Sequence, residues 1–149
     1  GDYIALICEW IKLPSYLEGI LRADDAVKAA SLGIDGVIVS NHGGRQIDGA
    51  ISSTEALPSI VSAANGNMEV WLDSGIRSGS DVFKCIALGA TGVMIGRPYA
   101  MALACNGEQG IIDCISNIMS ELELNMALSG CHTINDLNST LVSHPWKTT

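Results

Sequence analysis

Cations are scarce in this chain: eight Lys and Arg stand against sixteen Asp and Glu in 149 residues, a formal charge of −8. Nucleic acid and anionic membranes attract surfaces of the opposite sign, so neither is expected as a partner. Long apolar runs are missing too. No stretch approaches the roughly 20 residues that cross a bilayer, and the N-terminus lacks the basic, apolar and cleavage segments of a signal peptide. A soluble, non-secreted protein is the expectation. The five cysteines, Cys8, Cys85, Cys105, Cys114 and Cys131, are odd in number and form no CxxC pair. That excludes a zinc-finger pattern and a disulfide scaffold, and reads as reduced, small core residues. The sequence opens on Gly1 rather than Met, and is read as a piece of a longer chain.

Apolar residues, by contrast, are plentiful at 48%, enough for the core of one globular domain. Short apolar runs at Ser15–Leu17, Gly36–Val39, Glu69–Leu72 and Gly92–Ile95 read as strands. Helical patterns lie between them, near Asp24–Leu32, within Thr54–Ala64 and near Ser80–Leu88. The first starts with acidic residues and stops at Gly33, and the second tolerates Pro58 only near its first turn. A longer helix is expected near Glu108–Leu128, with Ile111, Ile112, Ile115, Ile118, Met119 and Leu122 at core spacing. A short last helix is expected after Thr133, which with Asp136 resembles a capping box, and the tail SHPWKTT reads as frayed.

The units repeat. At an offset of 56 residues Gly19-Ile20 matches Gly75-Ile76, Asp25 matches Asp81, Lys28 matches Lys84, Leu32-Gly33 matches Leu88-Gly89 and Gly36-Val37 matches Gly92-Val93. One repeat spans two βα units, as expected of a (β/α) barrel whose alternate strands fill alternate core layers. The competing arrangement on pattern alone is a doubly wound open sheet. The expected class is α/β, the C-terminal half of a (β/α)8 barrel: about four βα units plus C-terminal helices, one partial domain over residues 1–149. Half a barrel leaves two sheet edges and an inner face open.

In a barrel of this kind the strand C-terminal ends build the site. The polar residues there are Glu18; Ser40, Asn41 and His42 with Arg45; Asp73, Ser74 and Gly75 with Arg77; and Gly96 with Arg97. Three of only four arginines fall at strand ends, which favours an anion site. GIRSGSD can offer Gly75 and Gly79 amides and the following helix start to a phosphate, and IGRP can do the same one strand later. The bland alternative is that each arginine pairs with a nearby carboxylate. His42 can take a proton near neutral pH and Arg45 can grip a carboxylate in two places, a combination that suits removal of hydrogen from a 2-hydroxy acid. A lone histidine after a strand is more often structural; the NHGGRQ setting argues otherwise. His132, His144, Cys105 and Cys131 have no such setting and take no role, and Glu121 and Glu123 read as solvated helix residues.

At these residues the sequence resembles the FMN-dependent 2-hydroxy acid oxidases and dehydrogenases, a family that includes glycolate oxidase, L-lactate oxidase and flavocytochrome b2. The motifs that carry the resemblance are SNHGGRQID, DSGIRSGSDVFKCIALGA, IGRP and NMALSGC, from about Leu13 to Leu141. The resemblance implies that His42 is the active-site base, that His42 and Arg45 bind substrate, and that Ser40 touches the flavin. It further implies that Asp73, Ser74, Gly75, Ile76, Arg77, Gly96 and Arg97 hold FMN, chiefly its phosphate. The implied reaction oxidises an L-2-hydroxy acid to a 2-oxo acid, with oxygen taking the electrons and giving hydrogen peroxide. A homo-oligomer, or an association that completes the barrel, is implied as well. No C-terminal SKL is present, and a peroxisomal address rests on the family alone.

The sequence departs from the family in two ways. Glu18, in YLEGI, stands where the family has a lysine that stabilises negative charge on the reduced flavin. A carboxylate there opposes that charge unless it is protonated or turned away. The N-terminal half of the barrel, with its substrate-binding tyrosines and the carboxylate that orients the histidine, is absent. Two competing readings follow: a catalytically impaired homologue or fragment with a binding role, and a different phosphate-binding barrel, which would explain Arg77 and Arg97 but not His42 with Arg45.

Overall fold

The computed structural model describes residues 2–143. His144 and all of the SHPWKTT tail after Ser143 lie outside the described residues. A helix α1 (Asp2–Trp10), unforeseen in the sequence, precedes β1 (Tyr16–Glu18), α2 (Ala23–Ser31), β2 (Gly36–Val39), α3 (Ser53–Ala64), β3 (Glu69–Leu72), α4 (Gly79–Ala87), β4 (Gly92–Val93) and α5 (Arg97–Leu128). Short 3₁₀ turns occupy His42–Gly44, Ile134–Asp136 and Ser139–Leu141. The expected last helix is thus only a turn, in which the Asp136 carboxylate accepts from the Thr133 and His132 amides.

The four strands pair in parallel in the order β1-β2-β3-β4. A doubly wound sheet reverses direction partway through its strand order; this one never does, and right-handed crossovers in one direction set every connecting helix on one face. Strand alternation then divides the residues. Val37, Val39, Val70 and Leu72 are buried beneath the helices with Ala26, Ala29, Leu57, Ile60, Val82 and Phe83. Tyr16, Glu18, Ile38, Glu69 and Trp71 alternate to the opposite face, where Glu69 Oε2 accepts from the Tyr16 hydroxyl at 2.6 Å and from the Trp71 indole at 2.7 Å. Gly36, between Tyr16 and Glu69 in register, gives the tyrosine ring room to cross β2.

The 56-residue repeat is present in the backbone. Helix α2, shifted by that interval, falls on α4 end for end, and Gly19 and Gly75 share φ = 88°. Ser78 caps α4 by accepting from Asp81 N–H, while the Asp81 carboxylate accepts from the Arg77 and Ser78 amides. Pro58 sits in the second turn of α3 rather than the first, so the Thr54 carbonyl lacks its amide partner.

Helix α5 begins earlier than expected and bends where Asn106 and Gly107 leave helical geometry; beyond the bend it runs over the expected Glu108–Leu128. Gly110 lets the bend close against the Ala102 carbonyl. The isoleucine stripe is core packing only in part. Leu122 is buried and Ile118 packs against the core, but Ile112, Ile115 and Met119 are exposed; among the described residues the main packing partner of α5 is α4. The cysteines divide similarly: Cys85 and Cys131 are buried, Cys105 is exposed, and all five are free. Burial pushes the Cys85 thiol up to about 11, which keeps it protonated and unreactive.

Candidate active site

The ends of β1 and β2 bring Glu18, Gly19, Ser40, His42 and Arg45 together. Ser40 is buried, and its Oγ accepts the His42 N–H at 3.0 Å. It therefore holds the loop from below rather than lining the cleft. His42 itself has φ = 52°, a left-handed conformation that a non-glycine residue adopts only when its surroundings impose it. Asn41 supplies part of that constraint: its N–H donates to Ser53 Oγ, its side-chain amide to the Ile51 carbonyl, and its Oδ1 accepts the Gly44 N–H. The His42 carbonyl accepts from Arg45 Nε at 3.2 Å, and the imidazole Nδ1 lies 3.2 Å from Glu18 Oε1.

Two more contacts join this loop to the next two strands. Gly43 N–H donates to Ser74 Oγ at 2.9 Å, and Ser74 Oγ donates to Asp73 Oδ1 at the same distance. The Gly43 carbonyl accepts from Arg97 Nη2 at 2.6 Å. Ser74 also has a left-handed φ, 71°. Both strained non-glycine residues at the strand ends, His42 and Ser74, are thus in direct hydrogen-bond connection with the same segment.

The arginines do not behave as the bland alternative expects. Among the described residues, the only guanidinium in an ion pair is Arg22, with Asp24 on the surface; Arg45, Arg77 and Arg97 face no carboxylate within pairing distance. Beside them, the backbone amides of Gly75, Ile76, Gly96 and Arg97 donate to no protein acceptor among the described residues, and α5 starts at Gly96 without a side-chain cap. One expected donor is taken, however. Gly79 N–H donates to Glu121 Oε2 at 2.7 Å, so that amide is taken, and Glu121, exposed as expected, also caps the start of α4. Packing draws the two helices together there, since Gly79 lies against the backbone of Ile118 and Leu122.

A cleft of about 420 Å³ collects these groups. His42, Arg45, Asp73, Ser74, Gly75, Ile76, Arg77, Gly96 and Arg97 all line it, as does Glu18; of the residues expected at the site, Ser40, Asn41 and Gly79 do not. Met94 and Tyr99 line it without having been foreseen. Their nearness to IGRP was the one available signal, and it says nothing about side-chain direction. The cleft gathers His42 and the guanidinium groups of Arg45, Arg77 and Arg97 at the C-terminal edge of parallel βα units, an arrangement chemically suited to an anionic ligand.

That class narrows on comparison with known proteins. The family described as FMN-dependent dehydrogenase matches residues 1–144, and the chain belongs to it. It is similar to the L-lactate oxidase of Nostoc sp., 49% identical over 138 residues that cover 90% of this chain and 38% of that protein. It is similar also to 2-hydroxyacid oxidase 1 of Mus musculus, 46% identical over 95% of this chain and 38% of that one. A crystal structure of mandelate oxidase with (S)-2-phenylpropionate superposes with a TM-score of 0.89 at 42% identity, covering 91% of this chain and 41% of the other. The chain therefore spans well under half the length of these relatives, and its four parallel strands with their helices are part of a (β/α)8 barrel.

Proposed function

We propose that this chain supplies the C-terminal half of a flavin pocket that oxidises an L-2-hydroxy acid to a 2-oxo acid, and that it works within a completed barrel. The observation that carries the reading is the convergence of His42, Arg45, Arg77 and Arg97 on one cleft. The donor set fits FMN: free amides at Gly75, Ile76, Gly96 and Arg97, an uncapped helix start and two guanidinium groups suit a phosphate. FMN would supply the electron acceptor for the oxidation.

The protein's own residues do the rest. Arg45 uses Nε on the His42 carbonyl, which leaves its terminal nitrogens to hold the substrate carboxylate bidentately. His42 takes the proton of the 2-hydroxyl. Ser40 and Asn41 fix the loop so that both groups meet one substrate, and Asp73 with Ser74 ties that loop to the phosphate end. Molecular oxygen is the proposed final acceptor, giving hydrogen peroxide. The rest of the barrel comes from further chain or from an associated subunit.

A second reading is an impaired homologue with a binding role, and the observation that favours it is Glu18 lining the cleft at the position of the family's lysine. One experiment separates the two: join the chain to the N-terminal half-barrel of a relative, add FMN, and record the visible flavin spectrum. Bound flavin that bleaches anaerobically with glycolate or lactate supports the oxidase. Flavin that binds but does not bleach supports the impaired form, and no bound flavin defeats both.

A further inference from the structure

We propose that Ser74 is a positioning residue that fixes the His42–Arg45 pair through the intervening Gly43, and that its hydroxyl is not one of the groups that hold FMN. The reaction this pair serves rests on the flavin-pocket reading; the geometry does not. Ser74 Oγ accepts from Gly43 N–H at 2.9 Å and lies 2.9 Å from Asp73 Oδ1. A serine hydroxyl has a single hydrogen to donate. A backbone N–H only donates and an ionised carboxylate only accepts, so that hydrogen is directed at Asp73 and the Ser74 lone pair at Gly43. None is left to donate to a phosphate.

What Ser74 holds is one side of a clamp. The Gly43 carbonyl accepts from Arg97 Nη2 at 2.6 Å, so one residue is gripped at both of its polar backbone groups, by the end of β3 and by the start of α5. Those groups belong to the two peptide planes that flank Gly43. His42 lies on one side of them, and Arg45, two residues beyond, returns its Nε to the His42 carbonyl at 3.2 Å. Glycine has the widest choice of backbone conformations, so a glycine between a base and a carboxylate grip has to be held from outside. With both planes fixed, neither His42 nor Arg45 can swing away without breaking a bond to another strand end.

The backbone at Ser74 agrees with this. Its φ of 71° is left-handed, a conformation that glycine accepts readily and that a residue with a side chain adopts at a cost. Glycine would suit the torsion; serine adds a hydroxyl, and that hydroxyl is engaged on both sides.

The test follows backbone amide exchange by NMR in the isotope-labelled chain, which needs no flavin. Ser74→Ala removes the hydroxyl and keeps the torsional demand; Ser74→Gly removes both. In each, Gly43 N–H should exchange with solvent roughly 2- to 13-fold faster, the change expected for one hydrogen bond, while Gly44 N–H, held by Asn41, keeps its wild-type rate. In the barrel completed by a relative's N-terminal half, both variants should lower kcat and raise KM for the hydroxy acid and leave the Kd for FMN in place, a split that a general loss of stability does not produce. Unchanged Gly43 exchange in both variants overturns the proposal, as does a weakened FMN affinity with kcat and KM intact. Wild-type kinetics in Ser74→Gly with impaired kinetics in Ser74→Ala would make the torsion, not the hydroxyl, the controlling feature, and would overturn it too. A completed barrel that binds no flavin defeats the flavin reading, and Gly43 exchange then decides the Ser74 assignment by itself.

Discussion

The carbonyl oxygen of Gly43 and the guanidinium of Arg97 lie 2.6 Å apart across 54 residues of sequence. This contact joins the histidine loop to the last strand end, and it uses a backbone position with φ = 68° where a Cβ would come within 2.7 Å of Arg97 Nη2. Gly43→Ala must therefore adopt left-handed geometry and displace the guanidinium together. A loss of about 1–2 kcal/mol is expected from the torsion alone, read as a lower urea midpoint. An unchanged midpoint would show that the loop has room to rearrange.

The two arginines of the anion end should part company on mutation. In the completed barrel, Arg77→Gln should weaken flavin binding roughly 10- to 150-fold, as expected for a hydrogen bond to a charged group worth about 1.5–3 kcal/mol, and leave the KM for the hydroxy acid in place. Arg97→Gln should weaken flavin binding and raise KM, because Gly43 loses its partner as well. Arg45→Gln should raise KM and spare the flavin. Fluorescence titration with FMN and steady-state kinetics separate the three patterns, and identical profiles for Arg77→Gln and Arg97→Gln would count against the link through Gly43.

Packing of α4 on α5 turns on Gly79. A methyl group there meets the backbone of Leu122, Ile118 and Glu121, and backbone cannot move aside as a side-chain tip can. Gly79→Ala should cost about 2 kcal/mol or more by overpacking, with broader, less cooperative unfolding. Glu121→Ala removes only the bond to Gly79 N–H and should have a smaller effect. Equal losses would mean that the carboxylate, not the close approach, holds the helices.

Stability should depend on pH at both extremes through Glu69. The Trp71 indole and then the Tyr16 hydroxyl donate to its carboxylate and hold it below its ordinary value of 4.5. A lowered folded value means stabilisation that is complete above the ordinary value and lost as pH falls through the lowered one. Tyr16 behaves in the opposite sense. Its hydrogen bond to Glu69, then burial and the nearby negative charges, raise it above 10.0, so its contribution is present below that value and lost as pH rises through the raised one. Urea midpoints measured across both ranges should fall at each end, and Glu69→Gln should flatten both limbs.

Local signals carried much of this fold. Caps, glycines and alternation place α2, α3 and α4 within a residue of their observed ends, and nine of the eleven residues that the strand-end rule names line one cleft, Ser40 and Asn41 being the exceptions. What escaped was long-range. Nothing near Gly79 in sequence reveals that its N–H is taken by Glu121, 42 residues away. Ser40 carries a polar side chain at a strand end, but only packing decides that it points inward. The stripe from Ile111 to Leu122 has the spacing of a core face, and spacing cannot tell whether a partner helix is present. IGRP carries two signals at once, since its glycine and arginine read as a ligand loop while Pro98 is a helix starter that opens α5.

Gly19 and Gly75 occupy equivalent turns, one repeat apart, at the same φ of 88°. Above Gly19 stands the imidazole of His42, whereas among the described residues nothing lies within 4 Å of the position a Cβ would take at Gly75. One bend of backbone thus serves two trades, as a seat for a ring in the first copy and as an open socket in the second. The torsion is common to both; the vacancy above it is not. Alanine at position 75 would meet only the torsional penalty, while alanine at position 19 would meet that penalty and a neighbour. Duplicated geometry here is a frame whose chemistry is written by whatever the adjoining strand places over it.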